Sequence, residues 1–238
     1  MRNQIVFGGK IQPLRLLLLN SCEKEKRLQI FKSNAFLING PKKTQRVDIA
    51  TETSFRYDTV TNISATVDWR KRGAVTPIKD PFSSIHQITT GKLVSFSGQE
   101  LVDCVKYESA RCEGGYVADV FEFIAKKGGI ANETHYPYKG VNKVCKVKKE
   151  SHQGVALIKE YEKVPANSEK ELLKAVAHQP VSVYVEAGGT AFQFYSIGIF
   201  IGKCGAVPDH TVTVVGYGKA RGVTKYCLVK EFVGHRMG

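Results

Sequence analysis

Apolar side chains recur along this chain with two spacings, and the change from one to the other divides it. Val117, Val120, Phe121 and Ile124 share one helix face, and Gly128-Gly129 stops that run. Ser97-Gly98-Gln99-Glu100 and Ser168-Glu169-Lys170-Glu171 are capping boxes, in which a serine oxygen accepts from the N–H three residues on. They predict a short helix through Cys104 and a second helix bearing Leu172, Leu173 and Val176. Beyond it the period becomes two. Val181, Val183 and Val185 alternate with Ser182, Tyr184 and Glu186, as in a strand buried on one face. Val212, Val214 and Val215 form another β-branched run, ended by Gly216 and Gly218, with His210 at its start. Helices first and strands second predict an α+β protein of two packed subdomains.

Upstream the pattern is weaker. Leu14 and Leu16 to Leu19 make an apolar run interrupted by Arg15. It is too short for a membrane span and no convincing signal peptide, whose apolar region needs ~7–15 residues. Residues 1–22 therefore carry no well-defined element. Glu23, Arg27, Phe31, Asn34 and Ile38 are spaced for one helix face and predict a helix over 23–38. Residues 40–64 are polar, open with Gly40-Pro41, and read as a linker. The compact pattern starts at Ala65 and runs to Gly238.

Composition changes little in this picture. The 238 residues are 42% hydrophobic and 24% charged, ordinary values for a globular chain. The net charge of +13 is spread along the sequence, with one cluster at Lys146-Val147-Lys148-Lys149. Basic and aromatic residues do not interleave, so the charge reads as solvated surface and no nucleic-acid partner is expected. Six cysteines include no CxxC pair, which argues against a zinc site. No metal, cofactor or membrane partner is expected. Asn62-Ile63-Ser64 and Asn132-Glu133-Thr134 are glycosylation sequons, a weak pointer to a secretory route. His210, beside Asp209 at a strand start, is a candidate general base. A lone histidine is more often structural, so its company elsewhere in the chain matters.

That company carries a resemblance. Val67-Asp68-Trp69-Arg70, Gly73-Ala74-Val75-Thr76-Pro77, Gln99-Glu100-Leu101-Val102-Asp103-Cys104 and Cys112-Glu113-Gly114-Gly115 stand in order. Tyr136-Pro137-Tyr138-Lys139-Gly140, Gln179-Pro180-Val181-Ser182-Val183 and Asp209-His210 follow. Together they resemble the papain family of cysteine proteases, especially its plant members expressed in senescence. Residues 23–38 resemble the helix of the family's inhibitory propeptide, with Lys42 where its last asparagine would stand. The resemblance implies a two-lobed fold, a helical lobe against an antiparallel β-barrel lobe. It also implies a vacuolar, lysosomal or extracellular monomer acting on peptides or proteins. A cysteine at a helix N-terminus would be the nucleophile, His210 the base, and an asparagine would orient the histidine. Gly114, Gly115, Tyr116, Tyr184 and Asp209 would line the substrate cleft. Tyr184 stands where the family usually has a small residue, so the main specificity pocket would be partly filled.

The sequence departs from the family where the chemistry happens. After Asp80 the family has the oxyanion glutamine and a Cys-Gly-x-Cys-Trp phrase opening a long helix. Here Asp80 is followed by Pro81-Phe82-Ser83-Ser84, and the family text resumes at Ile85. No residue replaces the nucleophile, since a hydroxyl from Ser83 or Ser84 would still need the missing helix start and oxyanion hole. The family's Lys-Asn-Ser-Trp-Gly appears as Lys230-Glu231-Phe232-Val233-Gly234, which puts Glu231 in the orienting asparagine's place. The family's last strands would lie beyond Gly238, leaving barrel edges unpaired.

The resemblance pairs Cys104 with Cys145 and leaves Cys22, Cys112, Cys204 and Cys227 over. Two functional classes stay open. One is a papain-like endopeptidase whose chain, as written, is inactive. The other is a non-catalytic homologue that binds peptides, or binds a protease through its propeptide helix, with a pseudogene product as its limiting case. Losing several core side chains from the missing helix leads us to expect local secondary structure without a cooperative native state.

Overall fold

The computed structural model describes residues 16–20, 34–38, 55–76, 82–105, 116–147, 160–166, 168–195, 199–200, 209–220 and 225–230. Both capping boxes start the helices they predict. Ser97 accepts from the Glu100 amide and opens α2 (Gly98–Cys104), and Ser168 accepts from the Glu171 amide and opens α4 (Glu169–His178). The apolar run at Val117 becomes α3 (Val117–Lys127), ended by Gly128 at φ 79°, a left-handed conformation that glycine adopts without a Cβ penalty. A further helix, α1 (Phe82–Thr90), follows the point where the family text is interrupted and buries Ser83 and Ser84.

Among the described residues, seven strands form one antiparallel sheet. They are β1 (Leu16–Asn20), β2 (Asn34–Ile38), β3 (Val67–Asp68), β4 (Glu160–Val164), β5 (Val181–Val185), β6 (His210–Lys219) and β7 (Lys225–Lys230). The order is β1-β7-β6-β5-β2-β4, with β3 laid on β6. The alternating valines of β5 sit opposite those of β6, with Val181 against Val214 and Val183 against Val212. They join a core that holds twenty-one buried residues among those described, together with α4, whose Val176 carbonyl accepts from the Trp69 indole at 2.7 Å. A second cluster of five, Ile85, Phe96, Phe121, Ile124 and Ile130, lies among the helices. The α+β class stands as the pattern predicts.

Three expectations need correction. Asn34–Ile38 is a strand and not the last turns of a helix; residues 23–33 lie outside the described residues. Its five residues pair along β4, from Asn34 opposite Val164 to Ile38 opposite Glu160, and Ala35 pairs with Ser182 of β5. A helical spacing loses there because a strand satisfies two open sheet edges at once. The outer edge of β7 is likewise covered, since Leu16–Asn20 pairs along its length from Lys230 to Tyr226. Finally, the linker reading fails for its last part. Phe55 is buried in the large core, and the Arg56 amide donates to Glu162, so packing begins before Ala65.

Gly216 is required by packing. A Cβ there would overlap the Val67 carbonyl oxygen of β3, which passes over β6 with Asp68 opposite Gly216. We expect Gly216→Ala to push β3 away and weaken the Trp69 amide bond to the Val215 carbonyl, now 2.9 Å long. The expected loss is about 1–3 kcal/mol, the usual cost of overpacking. A urea midpoint unchanged from the parent would count against it.

Candidate functional site

His210 is the first residue of β6 and stands opposite Val185 on β5. The strand start is fixed by its predecessor. The Asp209 amide donates to the Val185 carbonyl at 3.1 Å, and its carboxylate accepts from the Ala187 amide at 2.6 Å and the Gly188 amide at 2.9 Å. Two charge-assisted bonds thus tie the turn after β5 to the residue before the histidine. Gly188 makes this approach possible, because a Cβ there would come within 2.7 Å of the Asp209 carboxylate. Asp209, which the resemblance put among the substrate-binding residues, therefore has both oxygens engaged by its own chain. Its geometry holds the loop that presents His210.

Tyr184 stands opposite Thr211 on the neighbouring strand, so the pleat puts its side chain on the sheet face opposite to that of His210, which pairs with Val185. Its hydroxyl accepts from the Val117 amide at 2.7 Å, the first amide of α3. The residue before that amide, Tyr116, caps the helix without any side-chain bond and is 65% exposed. A helix start leaves its first amides unsatisfied within the helix, and here the partner arrives from the sheet. Burial pushes the Tyr184 phenol above its ordinary pKa, only partly offset by the Val117 amide, so it stays protonated through neutral pH. Sequence reasoning found Tyr184 and missed its partner, because nothing in residues 111–120 marks that amide as the one a tyrosine 67 positions later would reach. Gly114 and Gly115 lie outside the described residues.

No described cysteine is placed to act as a nucleophile with His210. Cys104 and Cys145 are bonded to each other, as the resemblance implied. Cys227 is a buried cysteine opposite Tyr217, seven residues along β6 from His210. At the rise of a strand that is roughly 23 Å. Ser83 and Ser84, in the first turn of α1, are 0% and 2% exposed, so neither hydroxyl is open to a peptide. Lys230, the last described residue of β7, is buried and donates to the Thr76 hydroxyl at 3.0 Å. Glu231, Cys22, Cys112 and Cys204 lie outside the described residues.

Among the described residues, no cluster of histidine, cysteine or carboxylate side chains could hold a metal ion, and no helix is long and apolar enough to cross a membrane. His210 thus stands at the start of β6 beside a turn held by Asp209.

Comparison with known proteins places this arrangement. The model of the papain family cysteine proteases matches residues 63–238. Vignain of Ricinus communis is 48% identical over 199 residues, covering 78% of this chain and 55% of that protein. The senescence-specific cysteine protease SAG39 of Oryza sativa subsp. indica is 48% identical over 203 residues, covering 78% and 59%. The chain thus spans between half and two thirds of the length of these relatives. A 2.05 Å crystal structure of the Amb a 11 cysteine protease, a ragweed pollen allergen in its proform, superposes with a TM-score of 0.70 at 40% identity. That superposition covers 76% of this chain and 59% of the allergen.

Proposed function

The chain belongs to the papain family of cysteine proteases, and from that premise we propose that it is a non-catalytic member which keeps the family's base and lacks its nucleophile. The observation that carries this reading is the stretch from Asp80 to Ile85, where four residues stand in place of the oxyanion glutamine and the Cys-Gly-x-Cys-Trp phrase. The described cysteines support it, two being locked in a disulfide and the third standing far along β6. Without a thiolate, an imidazole can neither activate attack on a peptide carbonyl nor stabilise the resulting ion pair. In a serine protease of unrelated fold, removing the nucleophile alone costs about 10^6 in kcat.

In this reading residues 65–238 carry the peptidase-like domain, and 23–64 derive from the family's propeptide. By resemblance Gly114, Gly115 and Tyr116 are assigned to peptide binding, and Glu231 stands in sequence where the orienting asparagine would. The Cys104–Cys145 bond suits an oxidising compartment, a vacuole or the extracellular space. The ligands are peptides or unfolded protein segments, or a related protease engaged through the propeptide region.

Purified protein is expected to leave a fluorogenic dipeptide substrate uncut and to take up no thiol-reactive epoxide in the cleft. Turnover that disappears in His210→Ala would overturn the proposal. The genomic DNA between the codons for Asp80 and Ile85 gives an independent check. An in-frame stretch there encoding Cys-Gly-x-Cys-Trp would restore the active endopeptidase reading.

A further inference from the structure

Cys227, Leu228, Val229 and Lys230 are consecutive in β7 and all are buried, so both faces of that strand are covered. Such a strand is an interior one, and its amides and carbonyls need partners along both edges. On one edge β6 supplies them, from Thr213 opposite Lys230 to Lys219 opposite Lys225. On the other the partner comes from the far end of the chain. Leu16–Asn20 lies antiparallel to β7 in five consecutive pairs, from Leu16 opposite Lys230 to Asn20 opposite Tyr226. Its five residues carry neither charge nor proline, the devices with which edge strands avoid pairing. Arg15 stands just outside the paired run. The same N-terminal stretch enters the sheet again at β2, which pairs along the length of β4 and meets Ser182 of β5 through Ala35.

We propose that the outer edge of β7 is a strand-accepting site whose ligand is the Leu16–Asn20 sequence in extended form. In a single chain the occupant is the chain's own segment. Supplied from outside, the fitting occupant is the same segment of a second copy, since it brings the same register. Recognition is by backbone: ladder hydrogen bonds give the affinity, and side chains at alternate positions give the preference. Tethered to the sheet, the resident strand outcompetes one in free solution. The edge is therefore closed in the intact chain and opens when the resident cannot pair. A proline there has this effect, because it has no amide to give to the ladder. Successive amides of a strand point to opposite edges, so of two adjacent prolines one must remove a bond to β7. The inference goes beyond the non-catalytic reading and does not rest on it, since it involves neither His210 nor a nucleophile.

The test uses the full chain carrying Leu17→Pro and Leu18→Pro, and a fluorescein-labelled peptide of residues 14–21 ended by two lysines for solubility. Fluorescence anisotropy should show this variant binding the peptide at least about tenfold tighter than the parent, whose edge is occupied. Two further peptides separate strand pairing from apolar sticking. One is N-methylated at Leu16, Leu18 and Asn20, the other at Leu17 and Leu19, so each has one edge blocked. The variant should bind one of them as well as the plain peptide and the other at least about tenfold more weakly, having lost its ladder bonds. Hydrogen exchange gives the matching readout in the protein. In the variant, alternate amides from Tyr226 to Val229 should exchange at least about tenfold faster than in the parent, while those between them stay bonded to β6. Adding the plain peptide should restore their protection. Should the proline variant precipitate, Leu17→Gly, Leu18→Gly replaces it with the same expected outcomes, since glycine keeps the amides but weakens the strand. Equal peptide affinity in parent and variant, equal binding of the two methylated peptides, or unchanged exchange along β7 would overturn the site.

Discussion

Phe121→Ala should unfold the helical part of the molecule while the sheet stays folded. Phe121 is 1% exposed and packs among Ile85, Phe96, Ile124 and Ile130, a cluster of five buried residues against twenty-one in the sheet core. Truncating a buried phenylalanine costs about 3–5 kcal/mol, from lost transfer energy and from the cavity left behind. Whole domains are stable by only ~5–15 kcal/mol, and among the described residues the side chains packed around these five are only partly buried. The segment that the sequence lacks relative to the family immediately precedes Ile85, one of these five residues. The weak cooperativity expected for the whole chain should thus be concentrated in α1 and α3. Hydrogen exchange is the direct measurement. Amides of α3 should lose protection in Phe121→Ala, while those of β5 and β6 keep theirs. Ile124→Val, which removes one methylene, should cost about 0.5–1.5 kcal/mol and serve as the graded control. Equal loss of protection in α3 and the sheet would show that the two clusters fold as one unit.

Removing the Cys104–Cys145 bond should lower stability by about 3–4 kcal/mol on the loop-entropy model, because the cysteines are 41 positions apart. The bond joins the end of α2 to the segment after Gly140, and polar contacts hold the same junction. Gln99 donates to the Val141 carbonyl at 2.7 Å and accepts from the Lys139 amide at 2.7 Å. Asp103 accepts from Gln99 at 2.8 Å, from the Tyr136 hydroxyl at 2.7 Å and from the Lys143 amide at 2.8 Å. The double variant Cys104→Ser, Cys145→Ser should therefore remain folded at neutral pH with a lower urea midpoint.

Acid should then expose the difference. Burial of Asp103 works to raise its pKa, but the donors, led by the Tyr136 hydroxyl, outweigh it and hold the carboxyl below its ordinary value. A lowered folded-state pKa contributes stability above the unfolded-state value, and that contribution is lost as pH falls through the folded one. The serine variant should accordingly unfold at a higher pH than the parent on acidification. Coincident urea and acid curves for the two proteins would contradict both parts of this expectation.

Much of the local structure was legible in the residues. Ser97 and Ser168 cap their helices because the serine oxygen and the amide it binds are three positions apart. Gly128 ends α3 because only its own φ is involved, and Val181 to Val185 form a strand because one face is apolar throughout. The Cys104–Cys145 pairing was reached through resemblance, since spacing alone leaves several pairings open. Each capping or stopping signal is complete within a few positions, so the sequence by itself determined it, along with the family and the loss of the nucleophile segment.

The tertiary structure decided what depends on distant groups left unsatisfied. Asn34–Ile38 carries a helical spacing, yet it pairs with β4 more than a hundred positions away because two sheet edges there need donors and acceptors. Leu16–Asn20 pairs with β7 for the same reason, and Phe55 is buried by a core assembled from later residues. The carboxylate of Asp209 turns to the Ala187 and Gly188 amides, and the hydroxyl of Tyr184 to the Val117 amide, because folding brings those amides within reach. A backbone amide looks alike at every position of a sequence. Which one is left over, and which side chain meets it, is settled only when the sheet and helices have packed.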